Sequence, residues 1–199
     1  MTITAIKKQV KNPDRYSVFI DTRYSFSLSS EALLGSGLIA GQELTAEELK
    51  QQKEQSADDK MYNACLNLIA RRMRSKGEIE LYLKRKKVSP TLLSNILNKL
   101  SEKGLIDDKK FANSFINDRN LLKPTSRRKL ILELRSKNVP GDIINEVIED
   151  DDQQEKTNLI RIVENKRRQS KYKDDQKLMQ YLARQGFNYS DIKEVLADI

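Results

Sequence analysis

The chain contains no histidine and no tryptophan, one cysteine, and only seven glycines and four prolines in 199 residues. Without histidine, the Ser-His-Asp and Cys-His catalytic arrangements, imidazole metal ligands and the usual neutral-pH proton shuttle are excluded. Cys65 has no partner for an intramolecular disulfide. Its neighbours Ala64, Leu68 and Ile69 place it in an apolar helical run, where a small thiol belongs to the core. A lone thiol suits a reducing cytoplasm. The scarcity of glycine and proline disfavours a turn-rich β sandwich and favours long helices. No apolar run approaches the roughly 18 residues of a membrane span, and the opening MTITAIKKQV lacks a signal-peptide core, so a soluble cytoplasmic protein with no membrane partner is expected. A phosphate-cradling GxxxxGK[ST] loop and a Cys or His metal set are also missing. The carboxylate runs Asp107-Asp108, Asp150-Asp151-Asp152 and Asp174-Asp175 offer Mg²⁺ ligands on paper, but helix caps explain them more simply. The expectation is a protein that is not an enzyme and carries no metal or cofactor.

What the chain has in abundance is charge. Lys and Arg number 37 against 29 Asp and Glu, for a net charge of +8, with 33% of residues charged. The distribution is uneven: residues 1–59 sum to −2, 60–104 to +8, 105–150 to +1 and 151–199 to +1. One segment of 45 residues thus carries the whole excess, gathered in Arg71, Arg72, Arg74 and Lys76 and again in Lys84, Arg85, Lys86 and Lys87. Such a surface attracts phosphates by counterion release without regard to base sequence. Arg127-Arg128-Lys129 and Lys166-Arg167-Arg168 are smaller clusters, as readily explained as solvated helix faces.

Residues 2–29 alternate with a period of two. Tyr16, Val18 and Ile20 form one run and Tyr24, Phe26 and Leu28 another, predicting a β-hairpin with Ile3–Ile6 as a third strand. A short helix from Glu31 to Leu34 is expected to end at Gly35 and Gly37, and Thr45-Ala46-Glu47-Glu48 is a capping box opening the next helix.

From Lys60 onward the spacing is helical, and one pattern occurs three times: IELYLKRKKVSPTLLSNIL from Ile79, LILELRSKNVPGDIINEVI from Leu130 and LMQYLARQGFNYSDIKEVL from Leu178. Leu83, Leu134 and Leu182 coincide, as do Val88, Val139 and Phe187. Each copy is preceded by another helix: Tyr62–Arg72, Lys109–Asn120 and Leu159–Lys166. Ser75-Lys76-Gly77-Glu78 is a capping box, Ser89-Pro90 an N-cap followed by proline at the first helical position, and Gly104 a stop. Between the second and third helices of each unit, Lys87, Asn138 and Gly186 occupy a left-handed cap position where lysine is the least favourable of the three.

The expected fold is mainly α: three tandem three-helix repeats forming an elongated curved solenoid, with a small N-terminal β-hairpin region. The expected divisions are 1–59 (hairpin and linker helices), 60–106, 107–151 and 152–199. The run Asp150 to Gln154 is the most polar joint, either flexible or a helix continuing through. A three-helix unit can also resemble a DNA-reading helix-turn-helix, for which Asn95, Asn98 and Lys99 are available, but these are ordinary solvent-face residues. Tyr172, Tyr181 and Tyr189 could stack on bases, yet at helical spacing they belong more readily to the core.

Ala70-Arg71-Arg72 with Ser75, Glu78, Leu81 and Leu83, then Ile96, Leu100, Gly104-Leu105-Ile106-Asp107-Asp108, Phe111-Ala112 and Arg119, resembles in order and spacing the RecX family of regulatory proteins. Arg127, Leu130, Leu134, Lys137, Val139 and Ile143 continue the resemblance, and Gly41 to Leu44 is its best point in the N-terminal region. Lys87 and Lys123-Pro124 depart from glycine-rich turns. The resemblance implies a monomer that binds the RecA nucleoprotein filament along its groove, where it blocks ATP hydrolysis and strand exchange or promotes filament disassembly, and that binds DNA weakly and non-specifically. It supplies no catalytic residues. The contact candidates are therefore the clustered cations Arg71, Arg72, Arg74, Lys76, Lys84, Arg85, Lys86, Lys87, Arg127, Arg128 and Lys129, with Arg135. The alternative is a general non-sequence-specific DNA-binding helical module with no recombinase target.

Overall fold

A computed structural model describes residues 1–148 and 152–198. Its chain forms two compact units, one of residues 1–72 with 83–96, the other of residues 73–82 with 97 onward.

The first unit opens with an antiparallel sheet of β1 (Ile3–Lys8), β2 (Arg15–Ile20) and β3 (Arg23–Ser29), in that spatial order. Asp21 and Thr22 both adopt positive φ (47° and 69°), the twist that a two-residue hairpin turn requires, and Ile20 pairs with Arg23. Asp21 tolerates that backbone because its carboxylate accepts the Thr2 N–H at 3.0 Å. The alternation expected from the sequence is realised except at Tyr24, which is 60% exposed and pairs with Phe19 across a register shift. Ile3, Val18, Ile20, Phe26 and Leu28 turn inward and are closed over by Leu38 and Leu44.

Helix α1 (Ser30–Ser36) is capped by Ser29 and ends at Gly37 in the left-handed region, φ +64°. It runs two residues beyond the expected stop because Gly35 stays helical, so Gly37 alone terminates it. Helix α2 (Ala46–Arg71) begins with the expected box: the Thr45 hydroxyl accepts from Glu48 N–H at 3.2 Å, and the Glu48 carboxylate accepts from Thr45 N–H at 2.7 Å. These bonds hold the Glu48 carboxyl below its usual range. The helix expected from Tyr62 is the second half of this one 26-residue element.

Asp59 ties α2 to the sheet. Its carboxylate accepts from Arg15 at 3.0 Å, Ser29 N–H at 2.9 Å and the Ser29 hydroxyl at 2.5 Å, while Ser56 donates to Ser27 O at 2.7 Å. Arg15 is mostly buried, and Ser27 O also accepts from it. A buried charge pair of this kind is sustained by its extra hydrogen bonds.

Two further helices, α3 (Lys76–Arg85) and α4 (Pro90–Glu102), complete the first repeat. Ser89 accepts from Leu92 N–H at 3.3 Å, ahead of Pro90 at the first position. Cys65, Ile79, Leu83 and Leu100 are completely buried. Burial raises the Cys65 thiol to about 11, which makes it an inert core group.

In the second unit, α5 (Asp108–Leu122), α6 (Arg127–Ser136) and α7 (Gly141–Val147) enclose Phe111, Ala112, Leu134, Val139 and Ile144. Helices α8 (Asp152–Arg167), α9 (Asp175–Gln185) and α10 (Tyr189–Asp198) enclose Leu159, Val163, Leu178, Leu182, Phe187, Ile192 and Val195. The leucines aligned by the repeat, Leu83, Leu134 and Leu182, are each fully buried. Of the polar run from Asp150 to Gln154, Asp150 and Asp151 lie outside the described residues, and α8 begins at Asp152.

Candidate interface with an acidic partner

The cations of the first unit lie at helix ends. Arg71 is the last residue of α2 and Arg72 its cap, in extended backbone, and both are exposed. Lys84 and Arg85 form the last turn of α3, with Lys86 and Lys87 following, all exposed. That position suits them, since cations offset the negative end of the helix dipole. The turn closes by Lys87 N–H to Lys84 O at 2.9 Å and Val88 N–H to Leu83 O at 3.3 Å, with Lys87 at φ +56°. The same pair of bonds recurs around Asn138 (φ +56°), with Val139 N–H on Leu134 O, and around Gly186 (φ +98°), with Phe187 N–H on Leu182 O. Lysine thus adopts the left-handed cap that the repeat pattern assigns to it. Among the described residues, Arg71, Arg85 and Lys87 form no ion pair, which leaves their charge available to a partner.

The candidates of the second unit are used differently. Several belong to a joint that occurs twice, linking the second helix of one repeat to the following repeat. In the first joint, the buried Ser75 accepts from Glu78 N–H at 3.0 Å and donates to Lys137 O at 2.5 Å, at the end of α6. Lys76 N–H donates to Asp108 Oδ1 at 2.7 Å. In the second joint, the buried Ser126 accepts from Lys129 N–H at 3.2 Å and donates to Gln185 O at 2.6 Å, at the end of α9. Arg127 N–H donates to Glu155 Oε2 at 2.8 Å. The open N-terminus of each helix is thus satisfied by its own serine and by a carboxylate from the next repeat. Burial raises both carboxyls, Asp108 and Glu155, above their ordinary values, against the opposing pull of the N–H each accepts.

This joint engages three of the candidate cations. Arg74 lies 3.8 Å from Glu78, Arg127 lies 3.2 Å from Asp152, and the Lys129 ammonium donates to Gln185 Oε1 at 2.5 Å. Lys76, Arg128 and Arg135 remain exposed. Arg127, Arg128 and Lys129 stand together in the first turn of α6, whereas Arg135 lies in its last turn. Sequence reasoning did not find the joint. It assigned Asp107 or Asp108 to capping the helix that follows, without saying which or what the other would do. Asp107 does this, accepting Lys110 N–H at 3.0 Å, while its neighbour reaches back to Lys76. The doublet itself was the visible signal, since one N-cap needs only one carboxylate.

Other candidates are placed as follows. Asn95, Asn98 and Lys99 are exposed on α4. Tyr172 and Tyr181 pack on each other with ring centroids 5.2 Å apart, and Tyr189 is exposed. Arg167 pairs with Asp175 at 2.5 Å. Among the described residues, no group of three or more acidic, Cys or His side chains is arranged to hold a metal, and no helix is long and apolar enough to cross a membrane. What the exposed cations can do chemically is bind anions.

Four family models match in succession: the regulatory protein RecX N-terminal domain over residues 1–45, and the RecX first, second and third three-helix domains over 62–104, 107–148 and 152–196. The chain is 32% identical to the regulatory protein RecX of Listeria welshimeri over 94% of its own length and 72% of the relative's. The chain belongs to the RecX family. It is also 30% identical to the RecX of Halalkalibacterium halodurans, over 99% of this chain and 77% of that one. A crystal structure of a regulatory protein RecX superposes with a TM-score of 0.73 at 22% identity, covering 98% of each chain, which establishes the shared fold. The crystal structure of RecX from Lactobacillus salivarius gives 0.61 at 25% identity over 71% of this chain and 95% of the other. The RecX architecture of an N-terminal sheet followed by three three-helix domains is therefore the architecture here, and the family is one of regulatory proteins.

Proposed function

We propose that this chain regulates the recombinase RecA, binding its filament on DNA and inhibiting ATP hydrolysis and strand exchange without catalysing a reaction of its own. The observation that carries this reading is the end-to-end succession of RecX domains, 1–45 through 152–196. The cations support it. Arg71, Arg72 and the Lys84–Lys87 turn are exposed, and a nucleoprotein filament is an acidic partner that such a surface would follow. Lys76, Arg128 and Arg135 extend the candidate contacts, whereas Arg74, Arg127 and Lys129 have internal partners and would contribute less.

The test titrates this protein into RecA on single-stranded DNA while ATP hydrolysis, strand exchange and DNA occupancy are recorded together. Inhibition with RecA retained on the DNA supports groove binding, and inhibition with RecA lost supports disassembly. An absence of effect at concentrations that saturate bare DNA would leave a non-specific DNA-binding module. The double variant Arg71→Glu, Arg72→Glu should weaken inhibition while leaving the melting temperature nearly unchanged, because exposed charge reversals alter stability little. Unfolding of that variant would assign the pair a structural role.

A further inference from the structure

We infer that a cleft of about 250 Å³ in the second unit, where the end of α5, the start of α6, the last turns of α8 and the end of α9 meet, docks an acidic protein segment bearing an aliphatic side chain. Of its residues only Lys129 belongs to the surface proposed above, so the two readings stand or fall separately.

The charge is the first argument. Arg119, Lys123, Lys129 and Lys166 line the cleft against one carboxylate, Glu133. That carboxylate is already held by Arg119 at 2.7 Å, so the remaining three cations are not offset by it. Their partners are neutral: Lys129 donates to the Gln185 amide oxygen, and the Lys166 ammonium stands 4.8 Å from the Tyr181 ring centroid and 5.4 Å from that of Tyr172. A lysine positioned by an amide or an aromatic face keeps its full charge for an incoming anion, whereas one paired to a carboxylate does not. Lys123 is exposed at the rim. Lys129 and Lys166 are therefore preorganised around an enclosure whose one acid, Glu133, is already paired with Arg119.

The second argument concerns which anion. Sites for a single nucleic-acid strand combine a basic groove with open aromatic faces on which bases stack. Here Tyr172 and Tyr181 pack on each other and Lys166 lies over both rings, so those faces are engaged. The apolar groups offered are aliphatic. Leu122, which lines the cleft, is 83% exposed, and Leu121 beside it is 71% exposed. Pro124 and Ile162 form part of the wall. Two adjacent leucines held out in water at the end of α5 are anchored there by Arg161, which donates to Asn120 O at 2.6 Å and Leu121 O at 3.1 Å. Cations around a cavity that accommodates a few side chains, with the exposed Leu122 in its lining, match Asp and Glu flanking an apolar residue.

Fluorescence anisotropy on the full chain would test this with three labelled probes: a peptide of Asp and Glu with two central leucines, the same peptide with serine in place of leucine, and an oligo-dT of equal charge. The leucine peptide should bind. Lys123→Glu and Leu122→Ser should each weaken it about tenfold, with unchanged circular dichroism, and Lys11→Glu on the β1–β2 loop, which does not line the cleft, should leave it unchanged. Equal binding of the serine peptide would remove the aliphatic anchor and overturn the proposal. So would displacement of the peptide by oligo-dT with the same dependence on Lys123, which would make the cleft a nucleic-acid site. Failure of the leucine peptide to bind would also overturn it. None of these outcomes bears on RecA inhibition, which is read separately.

Discussion

Replacement of Gly77 by alanine sets two well-characterised effects against each other. Gly77 lies in the first turn of α3 at ordinary helical φ, so intrinsic propensity alone predicts that Gly77→Ala stabilises the helix by about 1 kcal/mol. The first joint predicts the opposite. A Cβ at Gly77 would fall 2.4 Å from Asn138 Cβ and 2.5 Å from Asn138 O, distances that demand movement. Asn138 cannot yield easily. Its backbone is left-handed at φ +56°, its N–H is bonded to Arg135 O, and the next N–H is bonded to Leu134 O. The preceding carbonyl, Lys137 O, is held by Ser75. Overpacking of this kind typically costs about 1–3 kcal/mol, and loosening two hydrogen bonds to buried groups adds about 1 kcal/mol. Net destabilisation of about 1–3 kcal/mol is expected after the helical gain is subtracted. Denaturant melts would give the sign. Amide exchange at Lys76, whose N–H reaches Asp108, would localise the damage, because that proton should lose protection first. A more stable Gly77→Ala protein with Lys76 still protected would refute the close packing of this joint.

Three further outcomes follow from the same contacts. The folded-state pKa of Asp108 is raised, so the native protein holds more protons than the unfolded chain between about pH 4 and that raised value, and this group's contribution to stability falls as pH rises through that window. Asp108→Asn should therefore gain on the parent at neutral pH and converge with it below about pH 4, a difference that pH-dependent denaturant melts would measure; a constant offset would contradict the assignment. Lys87→Gly should stabilise by about 0.5–1 kcal/mol, because glycine removes the left-handed penalty while forfeiting a cation at a helix C-terminus, and it should weaken partner binding, so a destabilised variant would argue against the φ of +56°. Asp59→Ala leaves the largely buried Arg15 guanidinium without its carboxylate and should cost about 3 kcal/mol or more, read as loss of the N-terminal sheet; a loss below about 1 kcal/mol would show that water replaces the carboxylate there.

Much of the fold was legible because its signals are local or periodic. Alternation in Tyr16–Ile20 and Tyr24–Leu28 marked the strands, Thr45 to Glu48 and Ser75 to Glu78 marked helix starts, and the aligned leucines marked three cores. Even the left-handed backbone at Lys87 followed from its alignment with Asn138 and Gly186. The joints were not legible, because Ser75 and Lys137 are 62 residues apart, and no local pattern distinguishes a serine that caps its own helix from one that also donates into another. The same holds for the interface. Composition located the cations, but whether a lysine faces solvent or, like Lys129, an amide on a helix 56 residues away depends on packing that charge counting does not contain.

The two joints also show how one device can be kept while its parts are exchanged. At the first, the small residue is on the helix, Gly77, and the turn it meets carries Asn138; at the second, the helix carries Arg128 and the small residue is in the turn, where a Cβ on Gly186 would fall 2.7 Å from Ser126 Oγ. The side-chain contact changes as well, from an ion pair to a lysine on a neutral amide. Glu78 faces Lys137 at 3.9 Å in the first joint, and Lys129 donates to Gln185 in the second. What stays constant is the serine, because a hydroxyl can accept from its own helix and donate to the next repeat's carbonyl at once. The corresponding residue of the third repeat is Asp174, which caps α9 by accepting from Gln176 and Lys177 N–H. Those bonds hold its carboxyl ionised below the usual range. An ionised carboxylate has no proton to give to a carbonyl, so Asp174 caps its own helix without the hydroxyl donation that Ser75 makes to Lys137 O and Ser126 makes to Gln185 O.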